Sequence, residues 1–404
     1  MANRIIVSQI GSRMRYIIPE LINRHGLLYR LYTDSNRFSL IGRLASCMTK
    51  IGLSSKGMRR LLNRNPHIPK QILYSSDSLF FRTLLSEIIP SLNYWDRQQN
   101  SYYNGLSRTF TNWGYGEADC IYSMYIENLN FFVGGGNSSI MRVVDIYENP
   151  DNNLELIKEI VEIPEYNCLK SKIPYLQAKN RIRQNKIKVA LKAADYYLCP
   201  SNHVINSISM KEGFDRKKVI RLPYMTSLIK KYDYHPVRHR IIWVGNDAVR
   251  KGLIYCAKAA EKLVETYPDL DFRIIGSIDK RLVCNKAFSM LNFIGILNQS
   301  DLENEYRNAE AFVFPTLSEG LAGVILEAAA FGCPVITTRS SGIDDPDFPA
   351  IIILERNVEQ IISQVTRIFE NSNYRDEISK RGYDFTLNKN GEYEKSLIGF
   401  LEKV

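Results

Sequence analysis

The sequence has no long apolar run and few of the residues that build metal centres or disulfide frameworks. No stretch of its 404 residues reaches the length of a membrane-spanning helix or a signal-peptide core. The seven cysteines are scattered and odd in number, and the five histidines show no metal-ligand or triad spacing. We therefore expect a cytoplasmic chain that is not exported, with reduced cysteines, no bound metal and no cofactor.

Acidic residues are nearly absent from the first part of the chain. Residues 1–72 contain 13 Lys and Arg but only Glu20 and Asp34, which gives +11, whereas the whole chain carries +10. Residues 38–64 interleave apolar side chains with basic ones, namely Arg43, Lys50, Lys56, Arg59, Arg60 and Arg64. Such a segment predicts a peripheral contact with an anionic membrane surface. A pair of solvated helices packed on a sheet is the alternative.

Motifs for nucleic-acid binding do not accompany this charge, and the chain has no P-loop. We therefore expect no nucleic acid among its partners.

Length and periodicity predict two α/β domains. The chain is long enough for two domains with large cores. Its second half alternates apolar strands with helices, the strands being predicted at 240–244, 272–275, 291–294, 311–314, 334–337 and 350–354. The first half repeats this pattern less clearly, at 4–10, 29–33, 118–123, 140–146 and 195–199. This order predicts parallel, doubly wound sheets.

We place the domain boundary in the proline-containing segment 223–236. The N-terminal domain is predicted at 1–225 and the C-terminal domain at 226–385.

The most informative segment carries two glutamates. Apolar residues 311–314 end at Pro315, a loop with Glu319 follows, and Glu327 stands eight positions later among small apolar residues. This order predicts a strand, a loop and a helix, which puts both carboxylates at the carboxyl edge of a parallel sheet, where such sheets bind ligands. The start of that helix would also offer free N–H groups to an anion. The spacing alone is weak evidence and favours a solvated loop acid followed by a helix-face acid; the surrounding residues reverse that.

Together with its surroundings, this segment resembles the E-x7-E signature of the retaining glycosyltransferases of family 4. The resemblance is strongest at 240–342 and extends to most of the chain. It implies the GT-B fold of two facing Rossmann-like domains, with helix 386–404 returning to the first domain. In this family the first glutamate lies by the donor sugar and the second holds the ribose hydroxyls, roles that fall on Glu319 and Glu327. The other donor-site residues would be Ser318, Gly320, Leu321, Ala322 and Gly323.

One position in this loop departs from the family. Ala322 stands where relatives have glycine, and Gly323 follows it. Because glycine there lets backbone approach a ligand closely, a shift of the donor loop by one residue stays open.

A second loop supplies basic residues. Gly245, followed by Arg250, Lys251 and Gly252, resembles the glycine loop and Lys-Gly pair of the family. A sugar–nucleotide bond breaks by expelling a nucleoside diphosphate, whose growing negative charge must be met by cations or N–H groups. The resemblance implies an arginine and a lysine in this role instead of a metal. Lys251 matches the lysine, Asn246 replaces the arginine, and whether Arg250 substitutes for it stays open.

Two D-x-D patterns would be the metal alternative, because the other glycosyltransferase fold binds metal through such a pair. They lie at 269–271, at a turn before a strand, and at 345–347, in a loop. Both positions favour ordinary surface acids.

In the first domain, Gly11, Ser12 and Arg13 follow the first strand and would face the cleft. The resemblance makes this the loop that touches donor phosphate or acceptor. Many relatives present a histidine after a later strand of this domain, where this chain has Asp145. Either Asp145 takes that polar role or no residue does.

These observations predict a retaining hexosyltransferase that moves a sugar from a nucleotide donor to a hydroxyl of a saccharide acceptor. The basic end suggests an acceptor that is lipid-linked or membrane-embedded, as in bacterial surface-polysaccharide biosynthesis, and a peripheral location on the cytoplasmic face. Two alternatives remain. One is a nucleotide-sugar 2-epimerase of the same fold, and the other is a non-catalytic protein that binds a nucleotide sugar or membrane and supports another transferase.

Overall fold

The computed structural model describes residues 4–53, 55–78, 80–81, 105–124, 128–134, 139–226, 228 and 230–404. Their strands form two sheets in which every pair of neighbours runs parallel. The first sheet contains β1 Ile5–Gln9, β2 Leu28–Asp34, β3 Leu73–Ser76, β4 Cys120–Met124, β5 Met141–Asp145, β6 Tyr196–Cys199 and β7 Val219–Arg221. The second contains β8 Arg240–Val244, β9 Asp271–Ile275, β10 Asn292–Gly295, β11 Ala311–Phe314, β12 Val335–Thr338 and β13 Ile351–Ile353.

Each sheet reverses its strand order once, and this fixes where a ligand can bind. The first sheet runs β3-β2-β1-β4-β5-β6-β7, and the second runs β10-β9-β8-β11-β12-β13. The order therefore reverses between β1 and β4 and between β8 and β11. A crevice opens at such a point because the loops on its two sides leave in opposite directions.

Helices connect the strands. In the described part of the chain they include Ile17–Arg24, Leu40–Lys50, Lys56–Leu62, Leu129–Gly134, Asn152–Glu162, Ile173–Ala193, Asn202–Ser209, Leu253–Thr266, Lys280–Val283, Gln299–Asn308, Gly323–Ala330, Val358–Glu370 and Ser372–Leu401. Residues 105–113 are also helical. Several helices begin at a side chain that caps a first-turn N–H, as Ser39, Ser201 and Asn357 do.

The hydrophobic cores cross the predicted domain boundary in both directions. Ile160, Tyr166 and Leu169, which the sequence placed in the first domain, pack in the core of the second sheet. Conversely, Tyr393 and Leu397 of the last helix pack against strands of the first sheet. The chain passes between the sheets from β7 to β8, across the predicted segment 223–236, and the boundaries themselves stay predictions.

Strand order and direction confirm the predicted fold class of two parallel, doubly wound α/β units. Among the described residues, no helix combines the length and apolarity needed to cross a bilayer.

Candidate functional site

The candidate site lies at the switch point of the second sheet. The loop after β8 carries Arg250 and Lys251, and the loop after β11 carries Glu319. The Leu317 N–H donates to the carbonyl of Arg250 (2.9 Å), which ties the two loops together. The Trp243 indole of β8 donates to the carbonyl of Lys251 (3.1 Å) and so fixes the first loop on its strand. The basic residues and the acid are therefore held on backbone that the sheet positions.

An ion cluster joins the two loops. Glu319 Oε1 lies 2.8 Å from Arg250 and 3.3 Å from Lys251, and Arg250 also pairs with Asp247 at 3.0 Å. Arg250 further donates to the carbonyl of Ser318. The side chains of Glu319, Arg250 and Lys251 are only 15%, 15% and 14% exposed. Two cations in a nearly closed space form a site that can bind an anion.

Opposing effects set the protonation of this cluster. Burial alone would raise the pKa of Glu319, but the charges of Lys251 and Arg250 outweigh it and lower that pKa. Burial would also lower the pKa of Arg250, yet Glu319 and Asp247 hold it above its ordinary value. Glu319 and Arg250 therefore stay ionised at neutral pH.

Glu327 lies on the helix Gly323–Ala330 and has a different environment. The Tyr306 hydroxyl donates to its Oε2 at 3.4 Å. Burial raises the pKa of Glu327, and the Arg15 charge and the tyrosine only partly oppose this. The N-cap residue of this helix, Ala322, makes no side-chain cap, and a Cβ added at Gly323 would meet no atom within 4 Å. Its first turn can therefore be approached by a ligand.

Glycines bring the loop after β11 against the first domain. A Cβ at Gly320 would clash with the carbonyl oxygen of Tyr147, which follows β5. The Gly320 carbonyl accepts a hydrogen bond from the Ser201 hydroxyl at 2.5 Å. Gly342 has φ +82° and packs on Gly320, where a Cβ would overlap the Gly320 carbonyl. The loop that carries Glu319 thus touches two elements of the first domain.

The loop after β1 faces this site and has an unusual backbone. The Gly11 N–H donates to Asp34 at 2.8 Å, and the Arg13 guanidinium lies 3.1 Å from the centre of the Tyr147 ring. The next three residues, 14–16, all have positive φ, at 44°, 52° and 64°. Positive φ is costly for residues other than glycine, so surrounding contacts must hold this conformation. One such contact is the hydrogen bond from Arg15 to Gln299 of the second domain.

Two predicted residues have structural partners. Asp145 is buried and accepts hydrogen bonds from the hydroxyls of Tyr122 (2.8 Å) and Tyr224 (2.9 Å). Asn246 is exposed, and its side chain accepts from the Ser277 N–H at 2.8 Å, which holds the loop after β9. Their roles at a ligand stay predictions, as does that of Ser12, which lies in the loop beside Gly11.

Sequence reasoning missed a polar contact between the domains beside Glu319. Asn149 donates to the Ser318 hydroxyl at 2.9 Å, and the His203 ring lies 3.4 Å from the same oxygen and 3.1 Å from Asn149. Burial lowers the pKa of His203, which favours the neutral ring. The sequence showed His203 inside a Pro-Ser-Asn-His segment after β6, but it did not show what the ring would face.

The basic segment combines exposed charge with exposed apolar side chains. Arg43, Lys50, Arg59 and Arg60 are exposed on and beside the helices Leu40–Lys50 and Lys56–Leu62, while the side chain of Lys56 lies outside the described residues. Arg64 departs from the prediction, because it pairs with the buried Asp34 at 2.8 Å and is turned toward the protein. Large apolar side chains line the exposed side of the same region: Leu40, Leu44, Met48, Ile51 and Leu53.

Three of the four acids in the D-x-D patterns have basic partners. Asp269 pairs with His239 at 2.6 Å, Asp271 with Arg240 at 2.9 Å and Asp345 with Lys389 at 3.6 Å. Where the structure describes the chain, no group of three or more His, Cys, Asp or Glu side chains is placed to hold a metal. The metal-free mechanism stays a prediction.

Comparison with known proteins shows a family match over the part of the chain that contains this site. A family model described as glycosyl transferases group 1 matches residues 238–371, which include both loops and both glutamates. A phosphatidylinositol N-acetylglucosaminyltransferase subunit of Homo sapiens is 28% identical over 174 residues, which cover 39% of this chain and 36% of the human protein. The chain thus spans about a third of the length of that relative.

Solved structures match the whole chain at low sequence identity. Sucrose-phosphate synthase of Thermosynechococcus elongatus gives a TM-score of 0.65 at 13% identity and covers 99% of this chain and 98% of that one. TarM of S. aureus, in complex with fondaparinux, alpha-GlcNAc-glycerol and UDP, gives 0.64 at 9% identity over 100% of both chains. These structures confirm the GT-B fold, and the family model supports the resemblance to glycosyl transferases group 1 over residues 238–371.

Proposed function

We propose that this chain, whose second domain matches the glycosyl transferases group 1, is a retaining glycosyltransferase. It would transfer a sugar from a nucleotide donor to a hydroxyl of a saccharide or glycolipid acceptor. The observation that carries the proposal is the cluster of Arg250 and Lys251 around Glu319 at the switch point of the second sheet.

The leaving diphosphate accounts for the two cations. Negative charge grows on it as the sugar departs, and preorganised cations stabilise that charge best where water is excluded. Arg250 and Lys251 are held by backbone hydrogen bonds before any ligand binds, so little reorganisation is required. The helix that begins at Gly323 offers N–H groups beside them.

In relatives an arginine at the position of Asn246 meets the leaving diphosphate, and Arg250 is placed to take that role here. Its guanidinium contacts Glu319, whereas Asn246 is exposed and holds the loop after β9. We therefore assign the second cation to Arg250. Glu319 would lie by the sugar, and Glu327, beside Arg15 and Tyr306, would accept the ribose hydroxyls.

Retention without a protein nucleophile would follow same-face attack. The acceptor hydroxyl approaches from the side on which the diphosphate leaves, and a phosphate oxygen takes its proton. His203, Asn149 and Ser318 line the adjacent part of the cleft and would orient hydroxyl groups. Mg²⁺ or Mn²⁺ has no step in this scheme, so activity should survive EDTA. Full loss on chelation with recovery by manganese would overturn it.

The exposed apolar and basic segment supports a membrane-associated acceptor. Its apolar side chains can enter the interface while the arginines bind anionic headgroups. The human relative is by its name part of a phosphatidylinositol N-acetylglucosaminyltransferase, which agrees with a lipid-linked acceptor. We infer a peripheral location on the membrane.

One assay separates the proposal from its alternatives. The protein is incubated with UDP- and GDP-sugars labelled in the sugar, and the products are resolved. Slow release of free sugar with an unchanged anomeric configuration supports a retaining transferase. Conversion to a 2-epimer identifies an epimerase, and binding of donor without any product identifies a non-catalytic partner.

A further inference from the structure

A cavity of about 610 Å³ lies beside the loop that carries Arg250. One wall comes from residues 156–176, the part of the first half of the chain that packs on the second sheet. The other comes from residues 246–249, together with Asp279 and Leu282. The volume lies within the range of small-molecule sites in proteins.

The charges in the lining are already paired. Lys172 pairs with Asp279 at 2.9 Å, and Asp247 pairs with Arg250 at 3.0 Å. Lys172, Asp247 and Asp279 are the charged residues among those that line the cavity. A charged ligand would therefore lose its hydration without meeting an unpaired partner in this lining.

Most of the remaining lining is apolar, with Leu156, Ile160 and Leu282 among it. Ser171 and Asn246 are its uncharged polar residues. Apolar surface of this kind favours a hydrocarbon or aromatic group, because such a group is stabilised when it leaves water. The composition of the lining therefore points to an uncharged, apolar occupant.

The cavity adjoins the proposed donor site but is separate from it. Asp247 lines the cavity and pairs with Arg250, and Arg250 lies 2.8 Å from Glu319. Only the pair of Asp247 and Arg250 thus stands between the cavity and that ion cluster. Lys251 and Glu327, which are assigned to the donor, do not line the cavity. The space is therefore left for the second substrate of a transferase, the acceptor.

We propose that this cavity binds an uncharged apolar group, an alkyl chain or an aromatic ring, that the acceptor carries next to its saccharide. The inference rests on the proposed function and adds a substrate class to it: the acceptor is an apolar glycoside whose apolar part enters the protein. With this group in the cavity, the attached sugar is held near the ion cluster at which the donor would react.

Calorimetric titration with n-alkyl β-glucosides tests this on the full, unaltered chain. The series runs from methyl to octyl glucoside, each kept below its micelle concentration, with UDP or GDP present. Burial of each methylene should tighten binding about fourfold, so octyl glucoside should bind roughly 10²-fold more tightly than butyl glucoside. The control without a sugar is 1-octanol, which should bind more weakly than octyl glucoside. Equally tight binding of 1-octanol would overturn the assignment to an acceptor.

Variants locate the bound chain. Ser171 is exposed and lines the cavity, so Ser171→Trp should fill the space and weaken binding of octyl glucoside by about tenfold or more. Ser209→Trp is the matched control, because Ser209 is exposed on the helix Asn202–Ser209 and does not line the cavity. Equal affinity for octyl glucoside in both variants would overturn the inference. So would loss of the chain-length dependence in Leu44→Ser with Ile51→Ser but not in Ser171→Trp, since the chain would then bind the exposed helices.

Titration of UDP and GDP into the same proteins separates this inference from the proposed function. Nucleotide binding to the wild type without any dependence of glucoside affinity on chain length overturns this inference alone. Failure of both nucleotides to bind the wild type overturns the proposed function, whatever chain dependence is found. Nucleotide affinity should be unchanged in Ser171→Trp, and its loss together with glucoside affinity would contradict a cavity that is separate from the donor site.

Discussion

Glu319 and the diphosphate of a donor would compete for the same two cations, Arg250 and Lys251. Without ligand, the carboxylate neutralises them and keeps a buried cluster satisfied. With a donor bound, the cations would turn to the phosphates and Glu319 would be released toward the sugar. Under the proposed function, the same ion pairs would therefore hold the cluster together and prepare it for the donor.

Replacing Lys251 by alanine should slow sugar transfer or donor hydrolysis by about 10²-fold or more, as expected for loss of one preorganised charge at a leaving group. Steady-state rates with a saturating nucleotide sugar measure this. Lys262→Ala is the matched control, because Lys262 pairs with the exposed Glu359. Equal rates in both variants would mean that Lys251 only binds Glu319.

Glu319 and Glu327 should influence stability with opposite pH dependence. The folded-state pKa of Glu319 is lowered, so its contribution is present above the unfolded carboxyl pKa of about 4.3 and lost as pH falls. The pKa of Glu327 is raised, so its ionisation opposes folding as pH rises. The free energy of unfolding of the wild type minus that of Glu319→Gln should increase as the pH rises. The free energy of unfolding of the wild type minus that of Glu327→Gln should decrease as the pH rises.

Urea unfolding of the three proteins at several pH values between about 3 and 7 measures these differences, since the Glu319 contribution is lost below about pH 4.3 and the Glu327 effect appears above it. If the difference in free energy of unfolding from the wild type changes with pH in the same direction for both variants, the two carboxyl groups have similar environments. In a separate measurement by calorimetric titration, Glu327→Ala should lose roughly 1.5–3 kcal/mol of nucleotide binding through its ribose contacts.

Among the elements, the loop after β11 depends on a glycine for its approach to the first domain. Gly320→Ala would place a methyl group on the carbonyl oxygen of Tyr147, and backbone there cannot move aside cheaply. We expect the cleft to widen, the transfer rate to fall and affinity for UDP or GDP to change little, because the proposed nucleotide contacts lie in the second domain.

Calorimetric titration of the nucleotide together with transfer rates measures this separation. Gly391→Ala is the control, since a Cβ there meets no atom within 4 Å and alanine favours the helix. An undiminished transfer rate in Gly320→Ala would show that the close contact with Tyr147 is not needed for turnover.

The helices Leu40–Lys50 and Lys56–Leu62 should bind anionic vesicles in a way that salt only partly reverses. Arg43, Arg59 and Arg60 each contribute about 1 kcal/mol near an anionic surface, and salt screens this part. Exposed apolar side chains such as Ile51, which is 74% accessible, contribute a part that salt does not screen. Arg64 is left out because its replacement would break the pair with Asp34.

Vesicle flotation at low and high salt tests both parts. Replacing the three arginines by glutamine should abolish the salt-sensitive part, and Leu44→Ser with Ile51→Ser should abolish the remainder. Arg381→Gln, on the last helix, is the control. Equal flotation with neutral vesicles at low salt would contradict a role for the basic residues.

At the scale of the whole molecule, sequence patterns predicted most strands and the location of the site. The strand Ala311–Phe314 matches its prediction residue for residue, because a continuous apolar run ends at a proline. The short strand Leu73–Ser76 was not predicted, since it lies at a sheet edge and has little apolar pattern. The two loops with Glu319 and Lys251 meet as their positions after neighbouring strands require.

Contacts between distant segments of the chain could not be predicted from sequence patterns. Residues 156–176 contain several apolar side chains, but the sequence does not show which sheet they will cover. Likewise, charge alone did not reveal that Arg64 faces Asp34, and spacing did not reveal that His203 meets Ser318 across the cleft. Each of these depends on how the two halves of the chain pack together.

The exchange of segments between the two cores bears on how the chain can be divided. Residues 156–176 complete the core of the second sheet, and the end of the last helix completes that of the first. A cut in the predicted linker would leave each fragment with its own sheet but without the wall supplied by the other. Fragments 1–225 and 226–404 should therefore aggregate when made separately and assemble into one particle when made together. Fragments that behave in this way would form a split protein, in which recovery of the folded particle shows that the two halves have associated.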